Sequence, residues 1–325
     1  MTIAFIIQCR NKVEYVARAV HGALSQTVPC HILLSDQGST DGSLAAIKKA
    51  VESFGLDHKH KVEIVECPIG GAYGMVACNR HIQWCVEQLP PTVEWVFQCS
   101  ADDYSLPDRV KVCMEALKQE TYRQVQPDEV VGDPVPKTEL ATWFRQLPCV
   151  GIANTMYYEA PGTTDRERIS GYPKTSGWIK AGEGLTKLAY GSTIWAYRRD
   201  WLLKIGLNVP CTLDVYLGFL AAFEGLYCVA NPQHVHCEAA SLDNMGFQGK
   251  LRAAKGDEAW RLAELNHFQL FQLYQLCADK AKELHPGGIP DEDLQALQNT
   301  LLGQANGWMR AREVLHAAGI TPGIL

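Results

Sequence analysis

The sequence predicts an α/β protein, with a mostly parallel sheet flanked by helices and a helical extension at the C-terminus. Three observations lead there. Short apolar runs alternate with amphipathic stretches through the first 118 residues, the order that builds right-handed βαβ units and a parallel sheet. The run Glu94-Trp95-Val96-Phe97-Gln98-Cys99 reads as a buried strand. It leads into two adjacent carboxylates, Asp102 and Asp103, at the edge where open α/β sheets bind ligands. From residue 259 onward the apolar residues fall in helical stripes.

The elements follow in order. Residues 3–7 form the first predicted strand, and over residues 12–26 Val13, Val16, Ala17, Val20 and Leu24 recur at helical spacing. Residues 31–35 are a second apolar run, ended by the turn cluster Asp36-Gln37-Gly38-Ser39-Thr40-Asp41-Gly42-Ser43. Leu44, Ile47, Val51 and Phe54 mark a second helix. Residues 62–65 are a third strand, and residues 75–89 a third helix holding Asn79, Arg80 and His81. After the strand at 95–99, Pro107 opens the next helix, where its missing N–H costs nothing.

Residues 120–147 are polar, contain Pro127, Pro134 and Pro136, and show no period, which predicts a surface excursion. Residues 149–158 return as one strand. Residues 160–185 read as a glycine-rich loop carrying Arg166, Arg168, Lys174 and Lys180. A helix starts near Thr212, with Leu213, Tyr216, Leu217, Leu220 and Phe223 at core spacing and Gly225 as terminator. Asp214 falls in its first turn, where the helix dipole keeps a carboxylate ionised. In His234-Val235-His236-Cys237-Glu238 the alternation of a strand sets His234, His236 and Glu238 on one face. Two helices, at 259–284 and 291–318, are separated by Pro286 and Gly287.

Composition bounds the function. The chain has 325 residues, 47% of them hydrophobic and 20% charged, as expected of a globular protein with a sizeable core. A net charge of -6 argues against a nucleic-acid binder. The 12 cysteines are scattered, with no Cys-x-x-Cys, and suit small buried apolar residues in a reducing compartment. Residues 1–7 are too short and lack the basic start of a signal peptide, and no run approaches a membrane span; a cytoplasmic location is expected.

Paired acids at a strand end are hard oxygen donors, suited to Mn²⁺ or Mg²⁺ bridging a diphosphate. The same residues also suit a polar turn that caps a helix. What separates the two readings is a wider pattern. Ile6-Ile7-Gln8-Cys9-Arg10-Asn11, Leu24-Ser25-Gln26-Thr27-Val28-Pro29, the 35–43 turn, and Ser100-Ala101-Asp102-Asp103 through Pro107-Asp108-Arg109 stand in the order and spacing of family 2 glycosyltransferases. The chain resembles that family, and its SpsA-type members in particular, over its first part.

The resemblance implies a GT-A type, Rossmann-like fold. It implies a glycosyltransferase domain over residues 1–250, with nucleotide-sugar binding in 1–118 and the acceptor side in 149–250, followed by a helical region at 251–325. Gln8, Arg10, Asp36 and Gln37 would line the base and ribose. Asp102 would sit near the ribose or sugar, and Asp103, in the place of the family's DXD acid, would ligate the metal. The segment Gly191-Ser192-Thr193-Ile194-Trp195-Ala196-Tyr197-Arg198-Arg199 resembles the one that precedes the catalytic helix. Asp214 matches the general base of inverting members, and His236 is a further candidate metal ligand.

Four departures stand out. Gln37 replaces an acid, Ser100 replaces the acid before Ala101, and Leu213 replaces the Glu of the Glu-Asp pair. Arg10 stands where an aromatic is common and can still stack on a base. The expected reaction moves a sugar from a nucleotide diphosphate sugar, by default a UDP-sugar, to an acceptor hydroxyl. The acceptor can be a polysaccharide, a glycolipid, a protein or a small molecule. A hydroxylated nucleic-acid base is supported only by the basic loop after Ala160 and opposed by the acidic total. A non-catalytic nucleotide-sugar-binding relative is the alternative that the departures suggest. A sugar-nucleotidyltransferase would need a glycine in the phosphate loop after the first strand, and residues 8–11 have none. The C-terminal stripe can pack on the core, cover the donor site or form a homodimer.

Overall fold

The structure, a computed structural model, describes residues 2–55, 59–69, 75–122, 149–154, 157–159, 166–168, 177–179, 195–209, 213–224, 226–229, 236–239, 255–287 and 291–319. The first half runs β1 (Thr2–Cys9), α1 (Val16–Leu24), β2 (His31–Asp36), α2 (Ser43–Phe54), β3 (Lys61–Glu66), α3 (Met75–Gln88), β4 (Val93–Ser100), β5 (Tyr104–Ser105) and α4 (Arg109–Tyr122). Then come β6 (Gly151–Asn154), β7 (Tyr157–Glu159), β8 (Arg166–Arg168), β9 (Gly177–Ile179), β10 (Trp195–Arg198) and α5 (Arg199–Ile205). The rest is α6 (Leu213–Glu224), β11 (Leu226–Val229), β12 (His236–Ala239), α7 (Asp257–Leu284) and α8 (Asp291–Ala317).

An eight-stranded sheet takes the order β3-β2-β1-β4-β10-β6-β11-β9. Its first four strands are parallel, with Gln8 beside Ser35 on one side and beside Ser100 on the other. Strand β10 lies antiparallel between β4 and β6, and β11 is parallel to β6, so β11 points the same way as β4. A second sheet has the order β5-β12-β7-β8.

Both faces of the main sheet are covered, which is why its strands read as continuous apolar runs and not as alternating ones. Phe5, Ile7 and Cys9 pack with Val16, Val20, Leu24 and Ile47 of α1 and α2. Ala4 and Ile6 face the other layer, built on Ile82, Val86, Leu202, Tyr216 and Leu220. Helix α7 joins this second layer through Leu273, Tyr274, Cys277, Ala278 and Ala281, a stripe at helical spacing. The C-terminal helices therefore pack on the core, through α6 and through each other.

The 149–158 run is not one strand. Residues 151–154 join the main sheet, while 157–159 pair with β12 and β8 in the second. Two three-residue strands, β8 and β9, lie inside the stretch read as loop. Val13, assigned to the first helical stripe, precedes α1 in a turn and is exposed. The excursion after residue 122, Thr212, Gly225 and His234 lie outside the described residues.

The motif after α1 has a mechanical role. The buried Gln26 amide donates to the carbonyls of Gly22 (2.9 Å) and Leu106 (2.8 Å) and accepts from the Val110 N–H (3.0 Å). The Thr27 N–H donates to the Pro107 carbonyl at 2.9 Å. This end of α1 thus clamps the chain that follows the acid pair. A Cβ on Gly22 would lie 2.6 Å from the Ser105 carbonyl oxygen, so only glycine lets β5 lie against α1.

Candidate active site

Three parallel strands end side by side and place their loops at one carboxyl edge: residues 8–12 after β1, 36–43 after β2 and 101–103 after β4. The first two loops are stitched together by short polar side chains. Asp36 accepts the Ser39 N–H (2.9 Å) and hydroxyl (2.6 Å), and Ser39 Oγ accepts the Asn11 N–H (2.9 Å). Asn11 Oδ1 accepts the Thr40 N–H at 2.9 Å, and Asn11 itself sits at φ 51°, a left-handed position that Asn tolerates. Gly38 and Gly42 also have positive φ. These residues are a turn cluster because the backbone demands it.

Gln37 is nearly fully buried. Its amide nitrogen donates to the carbonyls of Ile69 (3.2 Å) and Ala77 (3.3 Å). A carboxylate could make neither bond, which accounts for the amide in place of the family's acid. Leu213 is explained in the same way: it is 4% exposed within the core cluster that holds Tyr216 and Leu217, where a Glu would be buried without water.

The acid pair sits in a tight turn. The Asp103 N–H donates to the Ser100 carbonyl at 3.1 Å, and the Ala101 N–H to Gln8 at 3.1 Å. Both acids are largely buried, and each faces a cation. Lys12 Nζ lies 2.8 Å from Asp102 Oδ2. Arg109 is 0% exposed, donates to the Gln98 carbonyl (2.9 Å) and to Ser105 Oγ (3.0 Å), and has its guanidinium near the Phe5 and Phe97 rings. Burial pulls the Arg109 pKa down, and the thiols of Cys99 and Cys113 and the Asp103 carboxylate act against that. Burial, with Asp103 next, pushes the Cys99 thiol up, so it is no nucleophile.

Residues not singled out from sequence join the site. Gln98 donates to Gln8 Oε1 (3.1 Å), and Gln8 donates to Cys78 Sγ (3.3 Å), giving a polar row beneath α3. His81 Nε2 lies 2.7 Å from Ser35 Oγ. Burial lowers the His81 pKa from 6.5 to about 4; Arg10 adds to the shift and Asp36 opposes it. His81 is therefore neutral in the fold, whereas an unfolded chain takes up a proton below pH 6.5. This contribution is complete above about pH 6.5 and is lost as the pH falls towards 4, about 3 kcal/mol in all. Between pH 7 and pH 5 the wild type should lose about 2 kcal/mol through this group. Denaturant titrations of wild type and His81→Gln at the two pH values check it, the variant showing the smaller loss.

The other predicted residues lie on neighbouring elements. Register pairs His236 with Ser105, two residues after Asp103. Asp214 is in the first turn of α6, which packs on the sheet and leads directly into β11. Because β11 points the same way as β4, the N-terminus of α6 belongs to the same carboxyl edge as the acid pair. The approach to α6 is tied to α3: Asn79 donates to the Val209 carbonyl (2.8 Å), and the Leu207 N–H donates to Gln83 Oε1 (2.7 Å).

Among the described residues no group of three or more His, Cys, Asp or Glu forms a metal cage. A buried carboxylate at a strand end still fits Mn²⁺ or Mg²⁺, since Mg²⁺ in particular is held by one or two carboxylates and completed by substrate phosphates. No described helix is long and apolar enough to cross a membrane.

The family described as Glycosyl transferase family 2 matches residues 4–205. No curated protein sequence matches the chain. Among solved structures it resembles TarS residues 1–349 of S. aureus in complex with UDP, at 11% identity and TM-score 0.53, over 98% of this chain and 92% of that one. It also resembles the mannosyltransferase PcManGT from Pyrobaculum calidifontis in complex with GDP-Man and Mn²⁺, at 14% identity and TM-score 0.55, over 98% and 74%. At such identities the likeness is one of fold.

Proposed function

The chain belongs to glycosyl transferase family 2 and has the GT-A fold, and from that premise we propose that it is an inverting, metal-dependent transferase using a UDP-sugar. The observation that carries this reading is the meeting of the β1, β2 and β4 ends around Asp102 and Asp103. Residues 1–118 form the nucleotide-sugar half, 149–250 the acceptor side, and 251–325 a helical support.

Asp103, with His236, would hold Mn²⁺ or Mg²⁺, which supplies positive charge to the departing diphosphate. Gln8, Arg10, Asp36 and Gln37 line the nucleoside. The N–H groups of Gln37 are spent on the backbone, so what remains for a base is its carbonyl oxygen, an acceptor that suits the imide N–H of uracil. Asp102 orients the ribose or sugar. Asp214, at a helix start that favours its ionised form, takes the proton from the acceptor hydroxyl as that oxygen attacks the anomeric carbon opposite the leaving phosphate.

The acceptor is a hydroxyl of a polysaccharide, a glycolipid, a protein or a small molecule. In the absence of acceptor, water should be glycosylated slowly, and NMR of the sugar first released from an α-linked UDP-sugar with Mn²⁺ reads the stereochemistry. The β-anomer is expected. Initial α-anomer would overturn the inverting mechanism, and no release would favour a non-catalytic relative.

A further inference from the structure

We propose that Lys12 is a diphosphate-binding residue of the donor site, its ammonium resting on Asp102 in the free protein and also engaging a non-bridging phosphate oxygen when the donor is bound. This rests on the donor-site reading above and adds a residue to it.

Lys12 is not an ordinary surface lysine. Its backbone N–H donates to Ser43 Oγ (2.8 Å), and Ser43 is held in turn by Asp41 through its hydroxyl (2.6 Å) and its N–H (2.9 Å). Its carbonyl accepts the N–H groups of Tyr15 (3.0 Å) and Val16 (2.9 Å) at the start of α1. The root of the side chain is therefore fixed, and the four-carbon stem reaches from the β1 loop to the β4 loop.

The pair it makes with Asp102 is mostly shielded, the two side chains being 15% and 11% exposed. Such shielding carries a desolvation cost that an exposed pair avoids. The cation is thus held at the carboxyl edge, where the donor's phosphates arrive.

Charge gives the arrangement its use. A diphosphate approaching Asp102 and Asp103 meets two carboxylates, and Arg109 is fully buried beneath them. Lys12 adds a less deeply buried positive group at Asp102, and an ammonium is a compact point charge with three donors that can serve a carboxylate and a phosphate together. Its flexible stem lets the ammonium shift between them while the backbone stays still.

The test uses the whole chain, isothermal titration with inorganic pyrophosphate and UDP, and buffers containing either EDTA or Mn²⁺. Lys12→Met keeps the length and removes the charge. It should weaken metal-free binding of both probes by about tenfold or more, the scale of a lost charge-assisted hydrogen bond. Asp102→Asn removes the carboxylate that the ammonium rests on and should keep or strengthen pyrophosphate binding. Equal metal-free affinity in Lys12→Met and wild type would overturn the proposal. So would an Asp102→Asn variant that loses as much as Lys12→Met, because Lys12 would then only tether Asp102. UDP binding by wild type with Mn²⁺ but none of either probe in EDTA overturns Lys12 alone. No UDP binding in either buffer overturns the donor-site reading as well.

Discussion

Replacing Asp103 by alanine is expected to abolish metal-dependent nucleotide binding and to cut turnover by about 10³-fold or more, the scale of losing charge stabilisation at a leaving group. Asp103 is the acid that the β4 turn holds nearest β5, whose partner strand carries His236. The variant also removes the carboxylate that bears on the buried Arg109, and a buried cation that loses its counter-charge destabilises the fold. Alanine should therefore lower the melting temperature as well. Asp103→Asn keeps the shape, and both variants should be compared with wild type at a temperature where all are folded. Mn²⁺-dependent UDP binding by calorimetry is the readout, and intact binding in both variants would remove Asp103 as the ligand.

Asp214→Asn should separate binding from chemistry. Its expected effect is a fall in kcat of about 10²–10⁴-fold, the range of general-base catalysis, with UDP affinity unchanged. The separation follows from the fold: Asp214 sits on α6, which leads into β11, whereas the nucleotide loops follow β1, β2 and β4. Steady-state kinetics with one donor and titration with UDP check the two halves. Unchanged turnover would rule out the assignment. A parallel loss of UDP affinity would point instead to a role in donor binding.

Much of this was legible in the sequence because the parallel strands are buried on both faces and break sharply. Strand β2 is buried at every position and stops at Asp36, where the chain must turn. Asp102 and Asp103 were legible for the same reason, as charge placed immediately after an apolar run. The helices at 257–284 and 291–317 follow their stripes to within two residues at either end.

What stayed hidden depends on partners distant in sequence. Strand β8 is Arg166-Glu167-Arg168, which carries no apolar signal and exists by pairing with β7. His81 reads as one of several polar residues on α3. Its neighbours Cys78, Ile82 and Cys85 recur at helical spacing and could have marked that face as inward, but only the fold supplies Ser35. Gln37 reads in the sequence only as an amide in place of an acid. The carbonyls of Ile69 and Ala77 that hold it come from another strand loop and from α3, and no local pattern announces them. The Lys12–Asp102 pair likewise joins two loops that meet only because β1 and β4 are neighbours.

The proposed function stands or falls on a metal-completed nucleotide diphosphate site at the carboxyl ends of β1, β2 and β4. Thermal unfolding of the wild type against UDP, GDP, CDP and ADP, each with Mn²⁺ and with EDTA, tests it most directly. UDP with Mn²⁺ should raise the melting temperature, by about 2.7 kcal/mol of stabilisation at a hundredfold excess over Kd, and EDTA should remove most of the rise. No shift with any of the four nucleotides in either buffer would contradict it.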